Sequence, residues 1–506
     1  MTSVTGKPVS YWIDSTPQGE FPTFQADLLP DLRVDVAIVG GGIAGMTAAM
    51  LLKQAGKTVA VIEADTIGAG VTGKTTAKIT SLHQLVYASL IKEHGEEKAR
   101  LYGESNQAAI EQVSLWVRSE EIDCDFSRRS TYTFAESSGQ LDKIKDEVEA
   151  AQRLGLPASF VTETSLPFPI AGAVKFDNQA QFHPRKYLQH LARLISGAGS
   201  YIFEHTRVTG LEEGAPCKIV TERGVLWAQD VLITTNLPIS DEGLFFAKGY
   251  PQRSYIVAAE VDPSQAPEGM YIGVGEGYRS LRTTPYGDRL LLMIGGEGHK
   301  VGTVEDTESR FAKLEEYGRD RFGIESFAYR WSNQDIVSFD KLPYVGRLTP
   351  MHEHTFVATG FSLWGMSNGT LAGMLLADAV QGKDNPWESL YDSLRVTPFL
   401  SGTSIKENLD VGKHWVGDRL KGLTEHSLND VAIGEGKLLT IDGKKVAAYR
   451  DEQSQIHAVS ATCPHLGCIV NWNNAEKSWD CPCHGSRFGC DGEILQGPAI
   501  QPLEQA

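Results

Sequence analysis

The amino-acid sequence predicts an α/β chain in which a doubly wound nucleotide-binding sheet is interrupted by a mixed sheet, followed by a small all-β unit. Three observations carry this reading. Residues 34–39 read as a buried strand, Gly40-Gly-Gly-Ile-Ala-Gly45 as a tight turn opening a helix, and residues 58–62 as the next strand, ending in Glu63. Strand patterns over 230–235 and 356–360 return to the same sheet, whereas 255–298 reads as several strands of another. Past about residue 425 the pattern changes to short strands and turns.

The first stretch has the dinucleotide-binding, Rossmann-like layout, and each part has a physical task. Gly40 makes the turn, Gly42 lets the backbone approach a pyrophosphate, and Gly45 lets helix and strand pack closely, with Gly41 between them also expected at the cofactor. Free amides at the helix start receive phosphate oxygens. Glu63 follows the glycines by about 20 residues, where an acid accepts both hydroxyls of an adenosine ribose. FAD or NAD therefore fits better than NADP. The bland alternative is a glycine-rich helix–sheet contact. A membrane span over 36–52 is disfavoured by its length and its three consecutive glycines.

A chain of 506 residues holds two or three domains with ample core. Its formal charge of −17, with no basic stripe, argues against nucleic acid and against anionic lipid. The first residues lack the apolar core of a signal peptide, and no run is long and apolar enough to span a bilayer, so a soluble cytoplasmic protein is expected. Of seven cysteines, Cys463, Cys468, Cys481, Cys483 and Cys490 crowd into one region. Such clustering in a cytosolic chain points to metal or redox chemistry before a disulfide scaffold.

Taken in order, residues 1–33 are a polar, proline-punctuated arm with Trp12 and Phe21 as anchors. Gly68-Ala-Gly-Val-Thr-Gly73-Lys74-Thr75 matches a P-loop, which makes a nucleotide triphosphatase an alternative. The strand before it already presents Glu63, so this loop is read as a second wrap around the nucleotide. Residues 85–154 have helical patterning, and 208–235 alternate like a small sheet returning to the nucleotide domain. A helix expected over 370–380 would point its N-terminus at the reactive ring of the cofactor.

Gly40 to Gly45 with Glu63, Gly70-Val-Thr-Gly-Lys-Thr-Thr-Ala77, Asp340-Lys-Leu-Pro-Tyr-Val-Gly346 and Ala358-Thr-Gly-Phe-Ser-Leu-Trp-Gly365 resemble the amino-acid/amine oxidase family of flavoenzymes, which includes glycine oxidase and sarcosine oxidase. The resemblance covers 34–395. It implies FAD, and hydride removal from the carbon beside an amine nitrogen. It also implies cofactor contacts at Thr72, Gly73, Lys74, Thr75, Thr76 and Ala77, adenine near Val208, and the flavin ring near Gly360, Trp364, Gly365, Met366, Ser367 and Asn368. Amino-acid-binding relatives often carry an arginine just before the Asp-x-x-Pro segment, where this chain has Trp331-Ser-Asn-Gln-Asp335. Arg282 is the substitute candidate for clamping a carboxylate, its alternative being a strand-end surface arginine. His183 and Lys300 complete the candidates for substrate orientation.

Cys463-Pro-His465-Leu-Gly-Cys468 and Cys481-Pro-Cys483-His484-Gly-Ser486 admit tetrahedral zinc or a two-iron cluster held by thiolates and imidazoles. Together with Gly497-Pro-Ala499 they resemble Rieske proteins of the cytochrome bc type over 426–506. That resemblance implies a [2Fe-2S] cluster with Cys463 and Cys481 on one iron, His465 and His484 on the other, and a disulfide between Cys468 and Cys483. It also implies a hydrogen bond from Ser486 to a cluster sulfur. Phe488 replaces the tyrosine of the respiratory proteins, which removes one donor and lowers the expected potential.

The expected organisation is an arm (1–33), an FAD-dependent oxidoreductase with interleaved nucleotide and substrate subdomains (34–395), a linker (396–425) and a Rieske domain (426–506). The expected reaction takes electrons from a small amine or amino-acid-like substrate and passes them singly through the cluster to an external acceptor. Two alternatives are reverse flow from an external one-electron donor and a non-catalytic redox sensor.

Overall fold

The computed structural model describes residues 5–275, 277–304, 306–396 and 427–506. Apart from residue 396, the linker expected over 396–425 lies outside the described residues.

The first sheet has eight strands. Its parallel centre runs Thr355–Thr359, Gly224–Ile233, Arg33–Val39, Val59–Ile62, Tyr201–Phe203, and Tyr344–Arg347 adds an antiparallel edge. From Val36 to Val39 the strand Arg33–Val39 is continuously apolar and buried because a central parallel strand is covered on both faces. The helix Ile43–Gln54 covers one face and packs against Gly365–Val380. The chain runs from Arg33–Val39 to Val59–Ile62 on one side and joins Gly224–Ile233 on the other, so the crevice opens at the carboxyl end of the first strand.

The second sheet has nine strands, and Met270–Gly273 pairs parallel with Ser127–Ala135 in an otherwise antiparallel arrangement. It draws on more of the chain than 255–298. Ser127–Ala135 interrupts the stretch read as helical, lying between the helices Glu96–Ser119 and Leu141–Arg153. Its run Thr131-Tyr-Thr-Phe134 suits a pleated, half-buried surface, and pairing with Gly172–Gln181 decides the outcome.

The amino-terminal segment lies on this body. Trp12 is fully buried in the short helix Tyr11–Asp14; its Nε1 donates to the Thr75 carbonyl at 2.7 Å, and Ser10 Oγ donates to the Gly73 carbonyl at 2.5 Å. Residues 427–506 form a three-stranded and a four-stranded antiparallel sheet around their own core, which includes Trp479, Phe488 and four cysteines.

Candidate active site and metal centre

The glycine turn sits where the sequence places it. Gly40 has φ +109°, and a Cβ on Gly45 would lie 2.2 Å from the Gly40 carbonyl oxygen, so helix and turn close only without one. Glu63 Oε2 accepts from the Gly41 amide at 2.7 Å and Oε1 from the Asp65 amide at 2.9 Å. Burial pushes its carboxyl above the usual range, with those two amides pulling back. Thr72 Oγ1 accepts from the Ile43 amide at 3.1 Å, which ties the second loop to the helix start.

A cavity of about 870 Å³ opens on this constellation. Gly40, Gly42, Glu63, Thr72, Lys74, Thr75, Val208, Gly365 and Met366 line it. Gly41 and Gly73 stand behind that lining as hydrogen-bonded backbone, and Ala77 takes φ +54° where the loop turns into the second sheet. The P-loop alternative loses its geometry here: the lysine lies in a short 3₁₀ turn, Val71–Lys74, and the chain continues into the strand Lys78–Ile79 instead of a helix.

The helix expected from 370 begins five residues earlier, at Gly365, and directs its amino end at the cavity. The turn before it holds Ser362 and Leu363 at φ +53° and +70°. Two consecutive non-glycine residues there are strained, and Asp335 fixes them by accepting from the Leu363 amide at 2.8 Å. Burial raises the Asp335 carboxyl to about 6. Trp364 stacks on His83 with ring centroids 4.5 Å apart, and Ser367 Oγ lies 3.0 Å from His83 Nε2. Asn368 is fully buried and donates to the Phe361 carbonyl at 3.2 Å, while Gly360, with φ +76°, turns the chain out of its strand.

A second cavity, about 90 Å³, shares Thr75, Asn333 and Leu363 with the first. Thr76, Trp364, Lys78, Gln84, Ser254 and Tyr278 also line it. Lys78 is buried; its Nζ donates to the Tyr271 carbonyl at 2.9 Å and contacts Ser280 Oγ. Burial, reinforced by Arg282, pushes its ammonium down to about 7. Lys78, Tyr278 and Asp335 were not singled out by sequence; Lys78 lies just past the second glycine-rich loop, and Asp335 ends the stretch noted above for lacking an arginine.

The three residues expected to orient substrate need correction. Arg282 is 1 % exposed, with donors committed to the carbonyls of Thr76, Ala77, Phe182 and Thr283; it pins the end of the second glycine-rich loop. His183 caps the helix Pro184–Ile195, accepts from the Lys186 amide and meets Ser15 Oγ at 3.0 Å; burial pushes its imidazole down to about 3. Lys300 ends the strand Arg289–Lys300. None of the three lines either cavity.

In the C-terminal domain two tight loops face each other. The Cys463 amide donates to the Cys468 carbonyl at 2.8 Å, and the Cys481 amide to the Ser486 carbonyl at 2.8 Å. A disulfide joins Cys468 to Cys483 across the loops, and Cys481 Sγ lies within 4.8 Å of both bridged sulfurs. Cys463 and Cys481 remain buried free thiols. The His465 and His484 rings stand 5.0 Å apart at 90°, and both Nδ1 atoms are buried without a hydrogen-bond partner. Two buried thiols and two orphaned imidazole nitrogens form a donor set that a two-iron cluster satisfies. Ser486 Oγ accepts from the Ala499 amide at 3.1 Å, which leaves its own proton to donate toward a cluster sulfur.

This domain is docked against the rest of the chain. Arg253, 2 % exposed, reaches Glu476 at 3.1 Å and Asp480 at 2.7 Å, and Arg487 pairs with the same two acids. Gln334 Nε2 donates to the Gly485 carbonyl at 2.6 Å, His465 Nε2 meets Asp241 Oδ1 at 2.7 Å, and Phe246 packs edge-on against both histidines. No helix among the described residues is long and apolar enough to cross a membrane.

Comparison with known proteins agrees with both halves. Residues 35–379 match the FAD dependent oxidoreductase family and residues 425–506 the Rieske [2Fe-2S] domain. YhfW of Bacillus subtilis, named as a Rieske 2Fe-2S iron-sulfur protein, is 37 % identical over 98 % of this chain and 97 % of its own length. Gamma-glutamylputrescine oxidoreductase of Escherichia coli is 24 % identical over 74 % of this chain and 90 % of its own. Glycine oxidase from Geobacillus kaustophilus superposes with a TM-score of 0.60 at 21 % identity, covering 72 % of this chain and 99 % of that one. The chain is a member of the FAD-dependent oxidoreductase family that binds FAD in its α/β body and carries a Rieske [2Fe-2S] domain after it.

Proposed function

We propose that the chain oxidises a small amine or amino-acid-like substrate and passes the electrons singly through the cluster to an external acceptor. The supporting observation is the strand Tyr329–Ser338. Asn333 lines both the FAD cavity and the smaller chamber, and its neighbour Gln334 holds the Gly485 carbonyl beside His484. One strand thus forms the wall of the first redox site and grips a ligand loop of the second. The bound flavin would supply two-electron chemistry and the cluster single-electron transfer.

The chain's own residues divide the remaining work. Gly41 and Glu63 orient the nucleotide, the amino end of Gly365–Val380 favours negative charge, and Asp335 holds the turn before it. The polar residues Lys78, Tyr278, Ser254 and Gln84 line the small chamber, which suits a compact polar substrate. Lys78, near neutrality at about 7, is the group there suited to hold or accept a proton. Cys463, His465, Cys481 and His484 hold the irons. The acidic chain would work in the cytoplasm with a one-electron partner, without nucleic acid.

The test is anaerobic mixing of the purified protein with an amine and amino-acid panel while flavin and cluster absorbance are followed. Bleaching by a panel member supports substrate oxidation. No bleaching by any member, with reduction by an external one-electron donor, would overturn it in favour of reverse flow.

A further inference from the structure

We propose that the Rieske domain forms one wall of the FAD site, so that FAD binding and domain docking stabilise each other. The cavity that opens on Gly42 and Glu63 is lined on another side by Glu476, Arg487, Ile494, Gln496 and Ala499. These come from separate stretches of the C-terminal domain, two of which are fastened directly to the FAD-binding body. Arg207, directly before Val208, donates Nη2 to the Ile494 carbonyl at 3.3 Å, which lays Ile494–Gln496 beside the strand expected near adenine. Glu476 accepts from Ser332 Oγ at 2.7 Å, and Thr307 both donates to Asn473 Oδ1 at 2.9 Å and accepts from the Ala475 amide at 3.0 Å. No cluster ligand lines the cavity, so this wall is distinct from the metal site.

A ligand that touches two domains favours the state in which they are together, and docking in turn slows its escape. FAD then leaves only when the boundary opens. The inference needs FAD in this cavity but neither the substrate nor the direction of electron flow.

Hydrogen exchange on the full chain, cluster loaded, with FAD present and after its removal, tests this directly. Amides of 474–477 and 493–500 should exchange at least ten-fold more slowly with FAD, alongside those of 40–45. Protection confined to 40–45 and 63–75 would overturn the proposal. A second arm uses Gln496→Trp, which adds bulk on the wall: FAD should dissociate at least ten-fold faster with two irons retained, and release at the parent rate would count against the wall. Glu63→Arg is the control for the cavity itself. If that variant keeps its FAD, the assignment of FAD to this cavity is wrong and the proposal falls with it.

Discussion

Replacing Arg253 by methionine should loosen the Rieske domain from the body while leaving each core intact. Arg253 and Arg487 together face Glu476 and Asp480; the substitution leaves one guanidinium for one buried and one half-buried carboxylate and removes the 2.9 Å bond to Gln334 Oε1. Stripping one partner from a buried ion pair costs about 3–5 kcal/mol, and the lower end applies because Arg487 remains. For a domain of this size, about 3 kcal/mol corresponds to a fall of roughly 12–24 °C in melting temperature. Burial raises the Glu476 carboxyl, but Arg487 and Arg253 outweigh it and hold the group below its ordinary range. Its contribution is therefore fully present above its unfolded value and is lost as pH falls through the folded one. Arg253→Met should move acid undocking to higher pH. The assay is thermal and acid melting followed by cluster absorbance, with Arg253→Met/Glu476→Gln expected to recover part of the loss. Cluster melting unchanged within about 2 °C, on the same scale of stability per degree, would refute this account of the interface.

Three further outcomes are expected. Glu63→Arg should lose most FAD on purification because a cation replaces the ribose acceptor, measured as flavin per chain; ATP hydrolysis abolished by Lys74→Ala would instead revive the P-loop reading. Lys78→Met should raise stability at pH 7, since a lysine lowered to about 7 binds fewer protons folded than unfolded and so penalises folding below about pH 10. After loss of its two hydrogen bonds, roughly 2 kcal/mol together, the net gain at pH 7 is on the order of 2 kcal/mol; it vanishes at about pH 9 and turns into a net loss by about pH 10, and substrate turnover should drop. A gain that persists at pH 10 would contradict the burial argument. His465→Ala and His484→Ala should each remove iron and labile sulfide while FAD stays bound, since neither residue lines the FAD cavity; stoichiometric zinc without sulfide would contradict the cluster.

What sequence made legible was local chemistry. The glycine turn and Glu63 fall within one strand–turn–helix unit, and the cysteine and histidine boxes each fold as a single tight loop, so both are local patterns that a sequence displays directly. The three substrate candidates misled because an arginine's role depends on what surrounds it. Arg282 has a guanidinium suited to a carboxylate, yet the fold commits it to four backbone carbonyls from three segments. Lys78 and Asp335 escaped notice for the converse reason: only burial in the folded chain gives them shifted protonation. Ser127–Ala135 was hidden between helices because its partners lie distant in sequence. The docking of the Rieske domain rests on pairs such as Arg253 with Asp480, which no periodicity announces.

The proposed function requires that substrate electrons reach the FAD site first and the cluster afterwards within one chain. Anaerobic rapid mixing with a substrate from the panel, recorded at flavin and cluster wavelengths in the parent and in Cys463→Ser, tests it most directly. In the parent, flavin bleaching should come first and cluster reduction should follow. In Cys463→Ser the first phase should persist while turnover with an artificial one-electron acceptor slows. Cluster reduction preceding flavin reduction, or a variant lacking its cluster yet turning over at the parent rate, would contradict it.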